Sequence, residues 1–560
     1  MTRPAPLWRP VRFAFAMLLP LSLGLPLAAA FTAGPAAAEV PIPRLSPNTL
    51  RILPSTVPAA SIAPGADTFE AMAAPATVAP STIEVAIARE VDTDVWKSVA
   101  ELYRLRRYEP VWTETRAATL RARLAEAAYD GLDPADYAVP EFGDSIAERA
   151  REDVALTEAA LRYARHAHSG RIKPADVSRI MTMHPPQLKE LRFLVRLSRA
   201  EDVAKTLESV HPQHAQYQLL RTALRRLIDE GAERPPVVGA GLALKTGVHD
   251  PRVAVLRTRI GAPAADGTPA ELFDASLATA VAAWQRDNGL DADGIVGPRS
   301  LAVLDGVHAA ADKDAIISNM ERWRWMPRWL GLHHVYVNVP AYRVQVVDAG
   351  EPTYTGRVVV GTASNPTPIF SDEIEHVVVN PYWNVPYSIA KNEMLSGIRA
   401  NPSGYMARGN YEVVFNGRVV NPDTVNWNED TLRRVRIREK PGRGNALGSV
   451  KFLFPNEHAV YLHDTPSKHL FSRDRRAYSH GCVRVEDPFD FAAALLAREP
   501  KLSGPGIQRL VGGDQKWLNT ETHIPVHLAY FTREVTDTGR LVILDDVYGF
   551  DARTQRKLGL

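Results

Sequence analysis

Hydrophobic periodicity changes once along this 560-residue chain, and the change bounds the fold. From about residue 86 to 306, apolar residues recur every three or four positions, the spacing of amphipathic helices. Beyond Asn319, β-branched residues come in alternating or continuous runs broken by turn signals, the pattern of strands. The expected class is therefore multidomain, α plus mostly-β, and the length suits three or four domains.

Three stretches carry the helical half. "TRAATLRARLAEAAYDGLDPADY" meets stop signals at Gly131 and Pro134, and "DVALTEAALRYARHAHSGRIKP" meets them at Gly170 and Pro174. "AQYQLLRTALRRLIDEG" ends at Gly231. Residues 86–245 read as a helical scaffold without a catalytic constellation. His166 and His168 are two apart, point to different sides of a helix and are poor partners for one metal.

Residues 246–306 read as a smaller unit. Phe273, Leu277, Val281 and Trp284 share a helical face, Gly289 ends that helix, Asp293-Gly294 and Gly297 shape a loop, and Ser300 is placed to cap a short helix. An aromatic-Gln pair followed by Gly-Leu, Asp-Gly and Gly resembles the three-helix peptidoglycan-binding module. The resemblance implies affinity for wall glycan-peptide; a spacer role is the alternative.

Residues 320–560 read as mostly β. Strands are expected in "HHVYVNVPAYRVQVVDAGEPTYTGRVVVG", with a hairpin at Asp348–Gly350, and near 375–386, 411–415, 450–454 and 459–463. A helix is expected over 487–498, and a final hairpin turns at Thr538-Gly539. A less regular, polar, glycine-punctuated insert spans 391–449. It is read either as a cap over a site or as a surface insertion.

The chain start sets the compartment. Arg3, Arg9 and Arg12 precede an apolar run from Phe13 to about Ala30, and Ala36-Ala37-Ala38 follows. Residues 1–38 thus read as a secretory signal peptide, with an uncleaved membrane anchor as the alternative. Residues 39–85, with eight prolines between Pro41 and Pro80, read as an extended linker. Formal net charge is +2, or −1 without the three signal arginines, so nothing suggests a nucleic-acid partner.

Export makes the cysteine content informative. Oxidising compartments favour paired cysteines, yet Cys482 is the chain's only one. It is either buried and inert or exposed and reactive. A Cys nucleophile needs a base within hydrogen-bond reach, and the base needs a third group to orient it. His463 ends the "AVYLH" strand, where a following carbonyl can hold its ring, so it is preferred to His480 as the base. Gly481 lets backbone approach a substrate, and the amides around Gly481 and Cys482 are candidates to face a developing oxyanion. Arg484 either lowers the thiol pKa or forms a salt bridge with Asp487.

The stretch "HDTPSKHLFSRDRRAYSHGCVRV" (463–485) resembles the L,D-transpeptidase signature: a His, about fifteen residues, then Ser/Thr-His-Gly-Cys. "NPTPIF", "VVVNPYWNVPYSIAKNE" and "REKPGRGNALGSVKFLFPN" are similar to segments leading to that site. The order of scaffold, binding module and catalytic domain resembles the large periplasmic branch of the family. Arg484 stands where many relatives have Asn, which leaves acceptor preference open. The resemblance implies a β-rich catalytic domain and a Cys482 thioester with His463 as acid and base, His480, Gly481 and Arg484 supporting. It implies 3→3 cross-links between peptidoglycan stems, no metal or nucleotide cofactor, and inactivation by carbapenems. Trp383 and Tyr387 either line the donor pocket or belong to the core. Transfer to water or to a protein, and a non-catalytic wall-binding role, are the alternatives.

Overall fold

The computed structural model describes residues 82–229, 236–239, 241–288, 290, 292–305 and 309–560. The expected signal peptide, the linker up to residue 81 and the helix stops at Gly231 and Gly289 lie outside these. Among the described residues, no helix is long and apolar enough to cross a membrane. The expected linker ends earlier than residue 85. A helix begins at Thr82, because Ile83, Ile87 and Val91 recur at helical spacing and pack into the scaffold core.

Helices 97–105, 114–125, 146–169, 190–199 and 203–208 complete that core around Leu120, Leu161, Tyr163 and Phe193. The long helix starts in a capping box, Ser145 with Glu148. Gly131, at φ +66°, ends a short 3₁₀ turn in the left-handed conformation, as its residue type suggests. The next helix, Ala215–Asp229, belongs elsewhere: Tyr217, Leu220 and Leu224 pack into the core of the β-rich part.

That junction is organised by helix Ala309–Trp325. Glu321 and Arg324 are both fully buried and paired at 3.0 Å. Glu321 Oε1 also accepts the Arg171 and Ile172 amides, at 2.5 and 3.0 Å. Arg324 donates to the Asp130 carbonyl and to Tyr217 Oη. Gly170 lies against this pair. A Cβ there would sit 2.6 Å from Glu321 Oε1, so the residue is required by close approach as well as by its φ of +91°.

In the small unit, helices Pro251–Ile260, Ala275–Asp287 and Pro298–Asp305 enclose Phe273, Leu277 and Val281, and Trp284 packs at the edge. Buried Gln285 ties the loop together: its side chain accepts the Gly294 amide and donates to Asp293, Ile295 O and Ser300. Ser300 is not the expected cap. The helix starts two residues earlier, at Pro298, whose fixed φ suits a first turn.

The β-rich part contributes strands β1 (His333–Asn338), β2 (Arg343–Asp348), β3 (Glu351–Gly361), β4 (Phe370–Val379), β5 (Trp383–Asn384), β6 (Tyr411–Phe415), β7 (Arg418–Val420) and β8 (Arg436–Glu439). They are followed by β9 (Val450–Leu453), β10 (Leu462–His463), β11 (Ala477–Ser479), β12 (Val483–Val485), β13 (Lys516–Ala529), β14 (Arg533–Val535) and β15 (Leu541–Ile543). Nine form one sheet, ordered β11-β3-β12-β10-β9-β4-β13-β1-β2, and β2 also pairs with β3, so the sheet closes on itself. The strand expected over 459–463 shrinks to two residues. The helix expected at 487–498 is Pro488–Leu495, and helix Phe550–Leu558 closes the described chain unexpectedly.

The insert is more regular than its composition suggests. Strands β5-β8-β6-β7 form a second sheet, and Ile398, Met406, Val413, Trp427, Leu432 and Ile437 give it a core of its own. Its apolar residues are spread thinly among Gly, Asn and Arg, which hides both periods.

Glu321→Ala would leave the buried Arg324 guanidinium without a carboxylate. The expected loss is about 3–5 kcal/mol, read as a lower midpoint in denaturant unfolding.

Candidate active site

Parallel pairing of β10 with β12 sets Leu462 opposite Val483 and His463 opposite Arg484. Cys482 is the residue just before β12 and shares the face of Arg484. On the other side of β10, antiparallel β9 sets Lys451 opposite His463. Tyr461, two residues before His463, lies on the same face, its ring edge-on to the imidazole at 5.7 Å. The sheet thus gathers Cys482, Arg484, His463, Tyr461 and Lys451 on one surface.

His463 is buried, and its Nδ1 lies 2.5 Å from the Asp464 carbonyl. A carbonyl can only accept, so Nδ1 carries the proton and Nε2 is left as the basic nitrogen. Burial, helped by Arg484, pushes the imidazole down to about 3. The thiol of partly buried Cys482 is pushed up to about 11 by burial. Hydrogen bonds from the backbone and side chain of Tyr461 and the charges of Arg484 and Lys451 act the other way without prevailing. Arg484 thus acts in the expected direction, lowering the thiol pKa, but burial outweighs it. No ion pair joins it to Asp487 among the described residues, and its Nε is buried without a hydrogen-bond acceptor there.

Gly481 has φ +116°, and a Cβ there would meet nothing closer than 3.7 Å. The backbone angle alone demands glycine. Its N–H donates to Ser479 Oγ at 3.1 Å, and that hydroxyl donates to the Cys482 carbonyl at 2.5 Å. The Gly481 amide is therefore committed internally, contrary to its expected oxyanion role. The Cys482 amide has no acceptor among the described residues. Thr367, fully buried, donates to the Gly481 carbonyl at 2.8 Å and accepts the Gly361 amide at 2.9 Å.

His480 is half exposed, with Nε2 3.0 Å from Glu393 of the insert. Trp383 and Tyr387 pack against the insert core, and Arg433 stacks on the Tyr387 ring at 4.4 Å. Both are partly buried and pack on that core. Sequence reasoning missed Tyr461, Lys451 and Thr367. Tyr461 carried a signal in its place two before His463 on one strand, while Thr367 and Lys451 lay unmarked inside the stretches "NPTPIF" and "REKPGRGNALGSVKFLFPN".

In the scaffold, Asp130, Glu208 and His211 lie close enough to share a cation. Arg221 already pairs with Asp130 at 2.6 Å and with Glu208, and Arg123 pairs with Asp130 at 2.8 Å. Two guanidinium groups thus occupy the carboxylates, which makes this a structural ion network. His166 and His168 contact Tyr137 and Ser169 separately.

Residues 97–224 match the scaffold domain family, residues 259–304 the family described as "Putative peptidoglycan binding domain", and residues 332–509 the L,D-transpeptidase catalytic domain. A Haemophilus influenzae protein named "Putative L,D-transpeptidase" is 36% identical over 236 residues, which is 42% of this chain and 47% of that protein, about half its length. Two solved structures are also similar. The L,D-transpeptidase from Xylanimonas cellulosilytica (15% identity; 52% of this chain, 98% of that one) gives a TM-score of 0.16. That from Stackebrandtia nassauensis (14% identity; 52% and 96%) gives 0.21. Residues 332–509 thus match the L,D-transpeptidase catalytic domain, and the chain as a whole is similar to an L,D-transpeptidase over 42% of its length.

Thr367→Val would strand a buried amide and a buried carbonyl. A loss of about 1–3 kcal/mol is expected in thermal unfolding, with Thr367→Ser close to wild type. Alkylation of Cys482 by iodoacetamide follows the thiolate. With the thiol raised to about 11, the rate should climb about tenfold per pH unit from pH 7 towards 11. A plateau already reached at neutral pH would contradict the burial argument.

Proposed function

We propose that this protein is a peptidoglycan L,D-transpeptidase that forms 3→3 cross-links through a thioester on Cys482, exported to the periplasm and wall-associated. The observation carrying this reading is the parallel β10–β12 pairing, which sets His463 beside the strand that Cys482 opens. The resting pair is neutral thiol and neutral imidazole, so His463 acts as a general base. Nε2 takes the thiol proton as sulfur attacks the carbonyl of the diamino acid in a tetrapeptide stem. The imidazolium then gives that proton to the departing terminal alanine. A side-chain amine of a neighbouring stem next attacks the thioester, losing its proton to Nε2 and releasing the thiol. The Cys482 amide donates to the tetrahedral oxyanion in both halves. The peptidoglycan-binding module supplies affinity for the same polymer. Trp383 and Tyr387, partly buried against the insert core, either line the donor pocket or support the cap.

The insert favours transfer to an amine over hydrolysis. It has its own core and meets the catalytic loop through Glu393 and His480, so it can shield the thioester from water.

The protein incubated with disaccharide-tetrapeptide should yield, by mass spectrometry, a dimer lighter by one alanine. Cys482→Ala and His463→Ala should each lower the rate at least about 10³-fold, and His480→Ala about tenfold. Tripeptide monomer alone would assign the thioester to water. A carbapenem should add covalently to Cys482, and failure of both reactions would leave a wall-binding role.

A further inference from the structure

A row of directly paired residues crosses the sheet on the face of Cys482: Trp517, Val378, Lys451, His463 and Arg484. Directly paired side chains share a face, and strands lie about 4.8 Å apart. Two cations therefore flank the base, one strand away on either side. Lys451 is only 8% exposed, and no carboxylate pairs with it among the described residues. Its titratable neighbours are the thiol and the imidazole, both neutral at rest. A buried ammonium without an anion is costly, and neither neutral group repays it.

The surroundings suit a ligand better than an internal partner. Lys451 Nζ lies 5.3 Å from the Tyr461 ring centre and 5.7 Å from that of Trp517. Two ring faces stabilise the ammonium while an anion is absent. Trp517 is 55% exposed, so this end of the row opens to solvent.

We infer that Lys451 is the subsite for the terminal carboxylate of the donor stem. The assignment rests on the reading of His463 as the proton donor to the leaving alanine. In a C-terminal residue the carboxylate carbon is two bonds from the nitrogen that His463 protonates. The carboxylate must then lie within about one strand spacing of His463, on the side away from the attacking sulfur. Cys482 approaches from β12, on one side of β10; Lys451 stands on β9, on the other. Arg484, on the sulfur side, faces the acyl portion. The enzyme would then select donors that end in a free carboxylate one residue beyond the scissile bond.

Binding to full-length Cys482→Ala tests this without any thiol whose charge Lys451 could influence. Calorimetric titration would compare disaccharide-tetrapeptide with its C-terminal amide. The free acid should bind at least about tenfold more tightly, as expected for a hydrogen bond to a charged group. Adding Lys451→Gln should abolish that preference, and Lys451→Arg should retain most of it. Equal affinity for acid and amide, a preference that survives Lys451→Gln, or no measurable binding of the free acid at millimolar concentration would each overturn the assignment. Turnover by the wild-type protein separately decides the reading on which it rests.

Discussion

Everything at the site follows from the parallel pairing of β10 with β12. Parallel neighbours cannot be joined by a tight turn; they need a crossover of a dozen residues or more. Here the crossover is the nineteen residues from Asp464 to Cys482. The spacing between the histidine and the cysteine motif is therefore the length of chain required to leave one strand and re-enter beside it. The crossover also holds β11, which pairs parallel to β3 and delivers Ser479 to the turn. Gly481, at an angle other residues resist, completes the reversal so that β12 can start at Val483.

Burial then fixes the protonation states. An exposed imidazole and thiol could form an ion pair, but burial penalises both charged forms and leaves the neutral pair. Arg484 and Lys451 oppose this for the sulfur while reinforcing it for the histidine, because positive charge disfavours imidazolium. The site is thus poised for developing negative charge. An oxyanion or a carboxylate arriving from the substrate would be stabilised by cations already in place. Their charge is not neutralised by a carboxylate among the described residues, a cost that the rings around Lys451 offset in part and an anionic ligand would offset further.

Much of this was legible in the sequence, and the limits have physical causes. Cys482, His463, Gly481 and the strand segments near them are local, since each depends on residue type within a few positions. The carbonyl that orients His463 was foreseeable because it belongs to the next residue. Lys451 was not, because only the β9–β10 register brings it across from His463. Thr367 was missed for the same reason, 114 residues from its partner Gly481. Helix 309–325 buries Glu321, Arg322 and Arg324 among apolar residues, so polarity gave no inward face. The insert's core was hidden because short elements leave too few turns for a period to emerge.

The catalytic loop is held unequally on its two sides. On one, the scaffold forms a parallel bridge: Ile369 donates to the Ile180 carbonyl at 2.9 Å and accepts the Thr182 amide at 3.1 Å. Two residues away, Thr367 passes that rigidity to Gly481 through a buried bond. On the other side the insert reaches the loop through His480 and Glu393, both about half exposed, and such pairs contribute little. Breaking this contact costs far less than moving Thr367, which would strand buried backbone groups. A displacement at this loop would therefore cost less on the insert side than on the scaffold side, where Thr367 holds the Gly481 carbonyl. The helical half, without a catalytic constellation of its own, thus meets the β-rich part close to the loop that bears Cys482.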